Sequence, residues 1–261
     1  MPCMSADTTL KGHDFLPISP DILLPQLTSN SEQEFSRGLM ELARVYAPYL
    51  GLDLDHDVLP NLSDKEWWVA DYGVQVVDGK EIGMSIKDAF RCLVDIHRTF
   101  QLAQGIGQEV SHLKSQKEAL IGLDAGTRTG VLAILMVAHG VDHVYAIEIN
   151  DQTYEATQNF LSELGLSEKI TLLKGDATQI TLDQLDGEKA DILVSENLSS
   201  ELMDEPQYSI ISHLSSYLSP DAAIVPFQGQ LSVSLSNADW EGVNQEKREI
   251  AERRLKRSQR V

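Results

Sequence analysis

The sequence of 261 residues predicts an α/β fold in which helices cover both faces of a parallel sheet. From residue 119 onward, short apolar runs alternate with longer segments that have helical spacing. Consecutive parallel strands in one sheet must be joined by right-handed crossovers. The alternation therefore predicts a doubly wound, Rossmann-like domain.

The elements of this domain follow one another at regular spacing. The predicted order is a strand over 119–123, a turn over 124–130, a helix over 131–139, a strand over 143–149, a helix over 152–164, a strand over 170–174, a weak helix near Leu182, a strand that ends at Ser195, a helix over 207–218 and a strand over 222–225. Residues 85–226 are accordingly predicted to form the main domain, and its first helix runs from Ser85 to about Ala103.

The flanking segments have different patterns. Residues 1–84 are predicted to be an extension, irregular over 1–30 because of four prolines and helical over 31–50. Residues 227–261 are predicted to hold a short half-buried strand near Val233 and a basic helical tail.

Composition limits the classes of function. The net charge of the chain is −19, and seven of its 21 basic residues lie after residue 245. Residues 1–245 are therefore strongly acidic. Such a surface argues against a nucleic-acid partner and favours cationic ligands, unless the acidity serves solubility alone. Two cysteines, no signal-peptide pattern and no long apolar run predict a cytoplasmic protein without a cysteine metal site or a membrane partner.

Polar residues follow three of the predicted strands where parallel α/β sheets bind ligands. Gly126 and Gly130 permit a tight turn before a helix, and Asp124 could accept hydrogen bonds from an amino or hydroxyl group. Glu148 closes the second strand, the usual place for a carboxylate that holds both ribose hydroxyls. Asp176 follows the third strand and would lie beside an adenine.

This set resembles the class I S-adenosylmethionine-dependent methyltransferases more than the nicotinamide enzymes. A dinucleotide site needs G-x-G-x-x-G, whereas Arg128 stands at the middle position here and the spacing differs. Arg128 also replaces the middle glycine of the methyltransferase pattern. The resemblance implies S-adenosyl-L-methionine as the cofactor, with no metal.

An acidic segment after the fourth strand narrows the resemblance. Glu196, Glu201, Asp204 and Glu205 lie within ten residues and repel one another unless a cation is held among them. Ser195-Glu196 with Glu205 nine residues later resembles the signature of the protein arginine N-methyltransferases, which is Ser-Glu-Trp-Met-Gly-Tyr followed by a second glutamate.

The preceding helix supports the same family. Asp95-x-x-Arg98-Thr99 parallels the family's D-x-x-R-T, whose arginine binds the cofactor carboxylate. The resemblance covers residues 85 to about 235. It departs at Asn197, Ser199 and Ser200, and no counterpart of the family's β-barrel is expected in the roughly thirty-five residues after Pro226.

The resemblance implies that Glu196 and Glu205 hold a planar guanidinium from two edges and leave one nitrogen aimed at the methyl group. The acceptor could be a protein arginine or a small arginine-like metabolite. An alternative hypothesis is an enzyme that methylates another amine or a hydroxyl. The non-enzyme alternative is a protein that binds the cofactor without turnover. Glu205 could instead cap the helix that starts near Pro206.

Overall fold

The structure is a computed structural model, and it describes residues 19–51, 53–55, 76–77, 80–81, 86–198 and 206–228. Its helices are α1 (Pro20–Leu27), α2 (Glu32–Tyr46), α3 (Ile86–Val94), α4 (Ile96–Lys114), α5 (Val131–Ala138), α6 (Asp151–Glu163) and α7 (Gln207–Leu214). Its strands are β1 (Val76–Val77), β2 (Lys80–Glu81), β3 (Ile121–Ala125), β4 (His143–Glu148), β5 (Ile170–Lys174), β6 (Ala190–Val194) and β7 (Leu218–Val225). Short 3₁₀ helices cover Ala47–Leu50, Leu182–Leu185 and Ser215–Tyr217.

The central sheet is parallel over the described residues, with strand order β5-β4-β3-β6-β7. Leu123 of β3 lies opposite Tyr145 of β4 on one side and Leu193 of β6 on the other. The chain builds outward from β3 to β5 and then crosses back to β6. The switch point therefore lies at the carboxyl ends of β3 and β6, where sheets of this kind bind ligands. The predicted doubly wound fold is confirmed.

Helix α5 shows why the core forms where it does. Residues Val131 to Val137 are all buried, and this helix is apolar on every side. A helix of that composition must be covered all round. It packs against β3 and β4 on the sheet and against α1 and α4 on its outer side.

The prediction of an irregular arm is wrong for residues 20–27, which form α1. Ser19 caps this helix by accepting a hydrogen bond from the Asp21 N–H, and Pro20 stands at the first helical position, where a missing N–H costs nothing. Leu23 and Leu27 are buried, so packing outweighs the internal Pro25. α1 and α2 join the same hydrophobic cluster as α5.

The single helix predicted from Ser85 to about Ala103 is two helices in the structure. The break falls at Asp95, whose side chain accepts a hydrogen bond from the Arg98 N–H at 3.2 Å and so caps α4. The helix then continues to Lys114 because Ala103, Ile106 and Val110 keep a buried face. The break places Arg98 in the first turn of α4.

The helix predicted over 207–218 ends at Leu214. Ser215 and Ser216 donate side-chain hydrogen bonds to the carbonyls of Ser212 and His213, which competes with continuation of the helix. Strand β7 consequently starts at Leu218, earlier than predicted.

Several predictions fall outside the described residues, namely Glu205 with Glu201 and Asp204, the strand near Val233 and the basic tail. The domain boundaries at 84 and 226 stay predictions. Within the described ranges, none of the helices has the length and apolar character needed to cross a membrane.

Candidate active site at the carboxyl ends of β3, β4 and β6

The turn after β3 is held in a fixed shape by its own main chain. Gly126, Arg128 and Gly130 all have positive φ, at 75°, 55° and 78°. The N–H groups of Gly126 and Thr127 donate to the carbonyl of Ile147 on β4, at 3.0 and 2.9 Å. Arg128 thus takes the left-handed conformation that glycine adopts more easily.

Gly126 leaves room for a neighbouring side chain of the protein itself. A Cβ at this position would lie 2.3 Å from Oδ1 of Asn197. The Asn197 amide is buried, and it donates to the carbonyl of Ala125 at 2.7 Å. The segment after β6 is therefore fastened directly onto the glycine turn.

Gln207 completes this fastening. Its side-chain oxygen accepts from the Asn197 N–H at 2.8 Å, and its amide donates to the Ser195 carbonyl at 2.6 Å. Sequence reasoning missed both Asn197 and Gln207 as site residues. The available signal was an amide in place of the family's tryptophan, followed by a second amide at the start of the next helix.

Asp124 lies beneath the turn and is fully buried. Its Oδ2 accepts from Thr127 Oγ1 at 2.6 Å and from the Ala133 N–H at 3.1 Å, while Oδ1 has no hydrogen-bond partner. Burial raises the pKa of Asp124 to about 7, although both hydrogen bonds oppose that rise. These contacts are with the turn and with the first turn of α5, and the assignment of Asp124 to the cofactor site stays a prediction.

Glu148 ends β4 beside the turn and is 4% exposed. Its Oε1 accepts from the Asn150 N–H at 2.7 Å, and its Oε2 accepts from the Arg128 N–H at 2.8 Å. Burial raises the pKa of Glu148, and these backbone hydrogen bonds partly offset the rise. A carboxylate has about four acceptor positions, so capacity remains for the hydroxyl groups of a ligand.

Asp176 lies at the same edge of the sheet, two residues after β5. Its Oδ1 accepts from the N–H and the hydroxyl of Thr178, at 2.8 and 2.7 Å, and its Oδ2 accepts from Gln179 at 3.2 Å. The carboxylate thus closes a local turn. Register pairing of Glu148 with Lys174 sets the ends of β4 and β5 side by side.

Glu196 follows β6 and contacts two arginines of its own chain. Both Nη2 of Arg98 and Nη1 of Arg128 donate to its Oε2, the second at 3.2 Å. The side chains of Glu196 and Arg128 are each 14% exposed, so the pair is largely shielded from water. Arg98 and Glu196, which were predicted from separate motifs, are brought together. The participation of Arg128 was not predicted.

The main chain of Arg128 is supported from α6. Thr157 Oγ1 donates to the Arg128 carbonyl at 2.6 Å, and the hydroxyl of Tyr46 lies 3.4 Å from the same Thr157 oxygen. Both groups are buried. The N-terminal helix α2 is therefore connected to the glycine turn through one threonine.

A cleft of about 490 Å³ lies next to Glu196, between α4 and the end of β7. Its polar lining includes Arg98, Glu109 and Glu196. Its apolar lining is formed by Leu102, Ile224, Val225, Pro226 and Phe227. Across the part of the chain that the structure describes, no group of three or more acidic, histidine or cysteine side chains could hold a metal ion.

Comparison with known proteins shows which families the chain is similar to. The family model of the ribosomal protein L11 methyltransferase (PrmA) matches residues 97–226. Protein arginine N-methyltransferase 7 of Rattus norvegicus is 31% identical over 147 residues, which cover 55% of this chain and 21% of that relative. A probable histone-arginine methyltransferase CARM1 of Oryza sativa subsp. indica is 28% identical over 122 residues, or 46% of this chain and 22% of that protein.

Among solved structures, protein arginine methyltransferase 10 of Arabidopsis thaliana is 26% identical with a TM-score of 0.41, covering 48% of this chain and 33% of that chain. The ribosomal protein L11 methylase of Lactobacillus delbrueckii subsp. bulgaricus is 25% identical with a TM-score of 0.36, covering 60% and 68%. The chain spans about a fifth of the length of the curated relatives it matches.

The strand order and the family match together define a class I S-adenosylmethionine-dependent methyltransferase domain. Within that class, the chain is similar to the protein arginine N-methyltransferases over about half of its length.

Proposed function

We propose that this chain is an S-adenosylmethionine-dependent N-methyltransferase whose acceptor is a guanidino group. The observation that carries the proposal is the environment of Glu196, whose Oε2 already accepts hydrogen bonds from two guanidinium groups. A largely buried carboxylate with such neighbours has the chemistry that recognises an arginine-like cation. The names of the relatives point to the same acceptor.

The residues around the glycine turn fit the cofactor. Glu148 retains acceptor capacity for ribose hydroxyls, and Asp176 stands at the neighbouring strand end for the adenine. Arg98 offers a guanidinium for the cofactor carboxylate, while Asp124, Gly126 and Gly130 would shape the turn that the cofactor contacts. When bound, S-adenosylmethionine supplies an electrophilic methyl group on a sulfonium centre.

Glu196 and Glu205 would bind the acceptor guanidinium and orient it toward the methyl group. A free guanidinium has a pKa above ~12 and delocalises its charge over three nitrogens. Hydrogen bonds to Glu196, with Glu205 as the second carboxylate, would draw that charge toward two nitrogens and orient the third for attack. Either carboxylate could then accept the proton that the methylated nitrogen loses. Alignment of this kind is worth ~7 kcal/mol or more of the barrier.

The cleft beside Glu196 provides the acceptor's route. An arginine side chain has three methylenes behind its charged head, and such stems pack well on apolar surface. Leu102, Ile224 and Val225 supply that surface, and Glu196 receives the head. The acceptor is therefore an aliphatic guanidine, carried by a protein arginine or by a small metabolite. A cytoplasmic location completes the proposal and agrees with the low cysteine count.

Labelled-methyl transfer tests the proposal directly. The purified chain is given labelled S-adenosylmethionine with agmatine, free arginine or an arginine-rich peptide, and the labelled product identifies the acceptor size. We expect Glu196→Gln to lower kcat/KM by roughly 100-fold or more, because it removes charge that orients the acceptor. Glu155→Gln, on the exposed face of α6, should leave the rate unchanged.

Two results would contradict the proposal. Equal rates for Glu196→Gln and the wild type would exclude the glutamate mechanism and favour another amine or hydroxyl as acceptor. Calorimetric binding of S-adenosylhomocysteine without transfer to any of the three acceptors would favour a cofactor-binding protein without turnover.

A further inference from the structure

We infer that Arg128 is an internal competitor for the acceptor guanidinium and thereby sets how strongly a cationic acceptor binds. The inference deepens the proposed function and rests on it, because it takes Glu196 as the acceptor's carboxylate. It concerns a residue that stands where a glycine is expected, with its side chain reaching Glu196 at 3.2 Å.

The main chain of Arg128 is held on both sides, which fixes the origin of its side chain. Its N–H donates to Glu148 at 2.8 Å, and its carbonyl accepts from Thr157 at 2.6 Å. A positive φ of 55° is maintained by these contacts. From this position the guanidinium crosses from the end of β3 to the residue that follows β6.

The contact between Arg128 and Glu196 matters because the Glu196 carboxylate can accept only a limited number of hydrogen bonds. A forked guanidinium–carboxylate pair uses both carboxylate oxygens. Each oxygen accepts about two hydrogen bonds, and Oε2 already receives one from Arg98 and one from Arg128. An acceptor that binds Glu196 through both oxygens must therefore displace one of the two arginines.

We expect the acceptor to displace Arg128, and not Arg98, from Glu196. Arg98 is the residue proposed for the cofactor carboxylate, and it also donates to the carbonyl of Cys92 at 3.5 Å. Arg128 has no contact with the cofactor in the proposed function, so its contact with Oε2 at 3.2 Å is the one that the acceptor replaces. Its positive charge also opposes entry of a second guanidinium.

Binding of agmatine to four proteins tests the inference. The full chain, Arg128→Gly and Arg128→Asn are titrated calorimetrically with agmatine, with and without saturating S-adenosylhomocysteine. Glycine and asparagine both tolerate a positive φ, so the turn keeps its shape while the guanidinium is removed. Arg37→Gln, which removes one positive charge from an exposed position on α2, is the matched control.

We expect both Arg128 variants to bind agmatine about tenfold more tightly than the wild type, which corresponds to one charge-assisted contact. Arg37→Gln should bind as the wild type does. In the transfer assay the gain should appear in KM, with kcat changed little, because the effect is on acceptor binding.

The inference is wrong if neither Arg128 variant binds agmatine more tightly than the wild type, or if Arg37→Gln gains as much as they do. This readout does not depend on turnover. Tighter agmatine binding by the Arg128 variants without methyl transfer would support the role of Arg128 and refute the proposed function. Methyl transfer with unchanged agmatine affinity would support the proposed function and refute the role of Arg128.

Discussion

Replacement of Asp124 by asparagine should make the stability of the protein less sensitive to pH. Asp124 is fully buried, and only its Oδ2 has hydrogen-bond partners. Asparagine has the shape of a protonated aspartic acid, and its oxygen can accept the same bonds from Thr127 and Ala133. The substitution therefore mimics the neutral form of the native residue at every pH.

The magnitude follows from the pKa of Asp124, which burial raises from 3.8 to about 7 in the folded protein. A carboxyl group whose folded pKa is raised stabilises the fold below its unfolded pKa, and that contribution is lost as pH rises toward the folded pKa. At 1.36 kcal/mol per pKa unit, the loss between pH 3.8 and 7 is at most about 4 kcal/mol. Asp124→Asn should be nearly neutral near pH 4 and stabilising by up to that amount at pH 8.

Urea unfolding of both proteins between pH 4 and 8 measures this difference. The other acidic groups contribute equally to the two curves, so subtraction isolates residue 124. We expect the difference in the free energy of unfolding to grow from pH 4 to pH 7 and then to level off. Parallel curves across the whole range would refute the reasoning, because they would mean that Asp124 is ionised in the folded protein at acid pH.

Two further substitutions test the turn and the ribose carboxylate. Gly126→Ala should destabilise the protein by more than Gly165→Ala in thermal unfolding. Both glycines have positive φ, but only at Gly126 would the new Cβ lie 2.3 Å from Asn197. Equal losses of stability would show that backbone strain alone is responsible. Glu148→Gln should weaken S-adenosylhomocysteine binding by roughly tenfold or more in calorimetry, while Glu188→Gln at an exposed position should not, and unchanged affinity would remove Glu148 from the cofactor site.

The sheet could be predicted from the sequence because its strands contain short apolar runs of ordinary length, and those of β3, β4 and β6 are largely buried. Helix α1 could not be predicted in this way. Its prolines are typical of irregular chain, and it forms because Leu23 and Leu27 are buried where α1 packs on the neighbouring α2 and on α5, which is distant in the sequence. The break at Asp95 was similarly hidden, since the apolar spacing continues across it and only the cap geometry marks it.

Candidate site residues could be predicted where they stand at strand ends and, for Arg98, from a motif at the start of a helix. Glu148 ends β4 and Glu196 follows β6, and their positions near the turn agree with that reasoning. Asn197 and Arg128 were visible as departures from the family pattern, but a departure does not say which group the new side chain will contact. Those partners depend on how β3 and β6 lie side by side, which is a property of the folded sheet.

Arg128 connects the two halves of the site through different parts of one residue. Its N–H bonds to Glu148, the carboxylate proposed for the ribose, and its guanidinium bonds to Glu196, the carboxylate proposed for the acceptor. An acceptor that displaces the guanidinium leaves the main chain in place, because Thr157 still holds the carbonyl. We therefore expect loss of the Arg128 side chain to change acceptor affinity while cofactor affinity stays within about threefold of the wild type. A large fall in S-adenosylhomocysteine affinity for Arg128→Gly would show instead that the guanidinium itself belongs to the cofactor site.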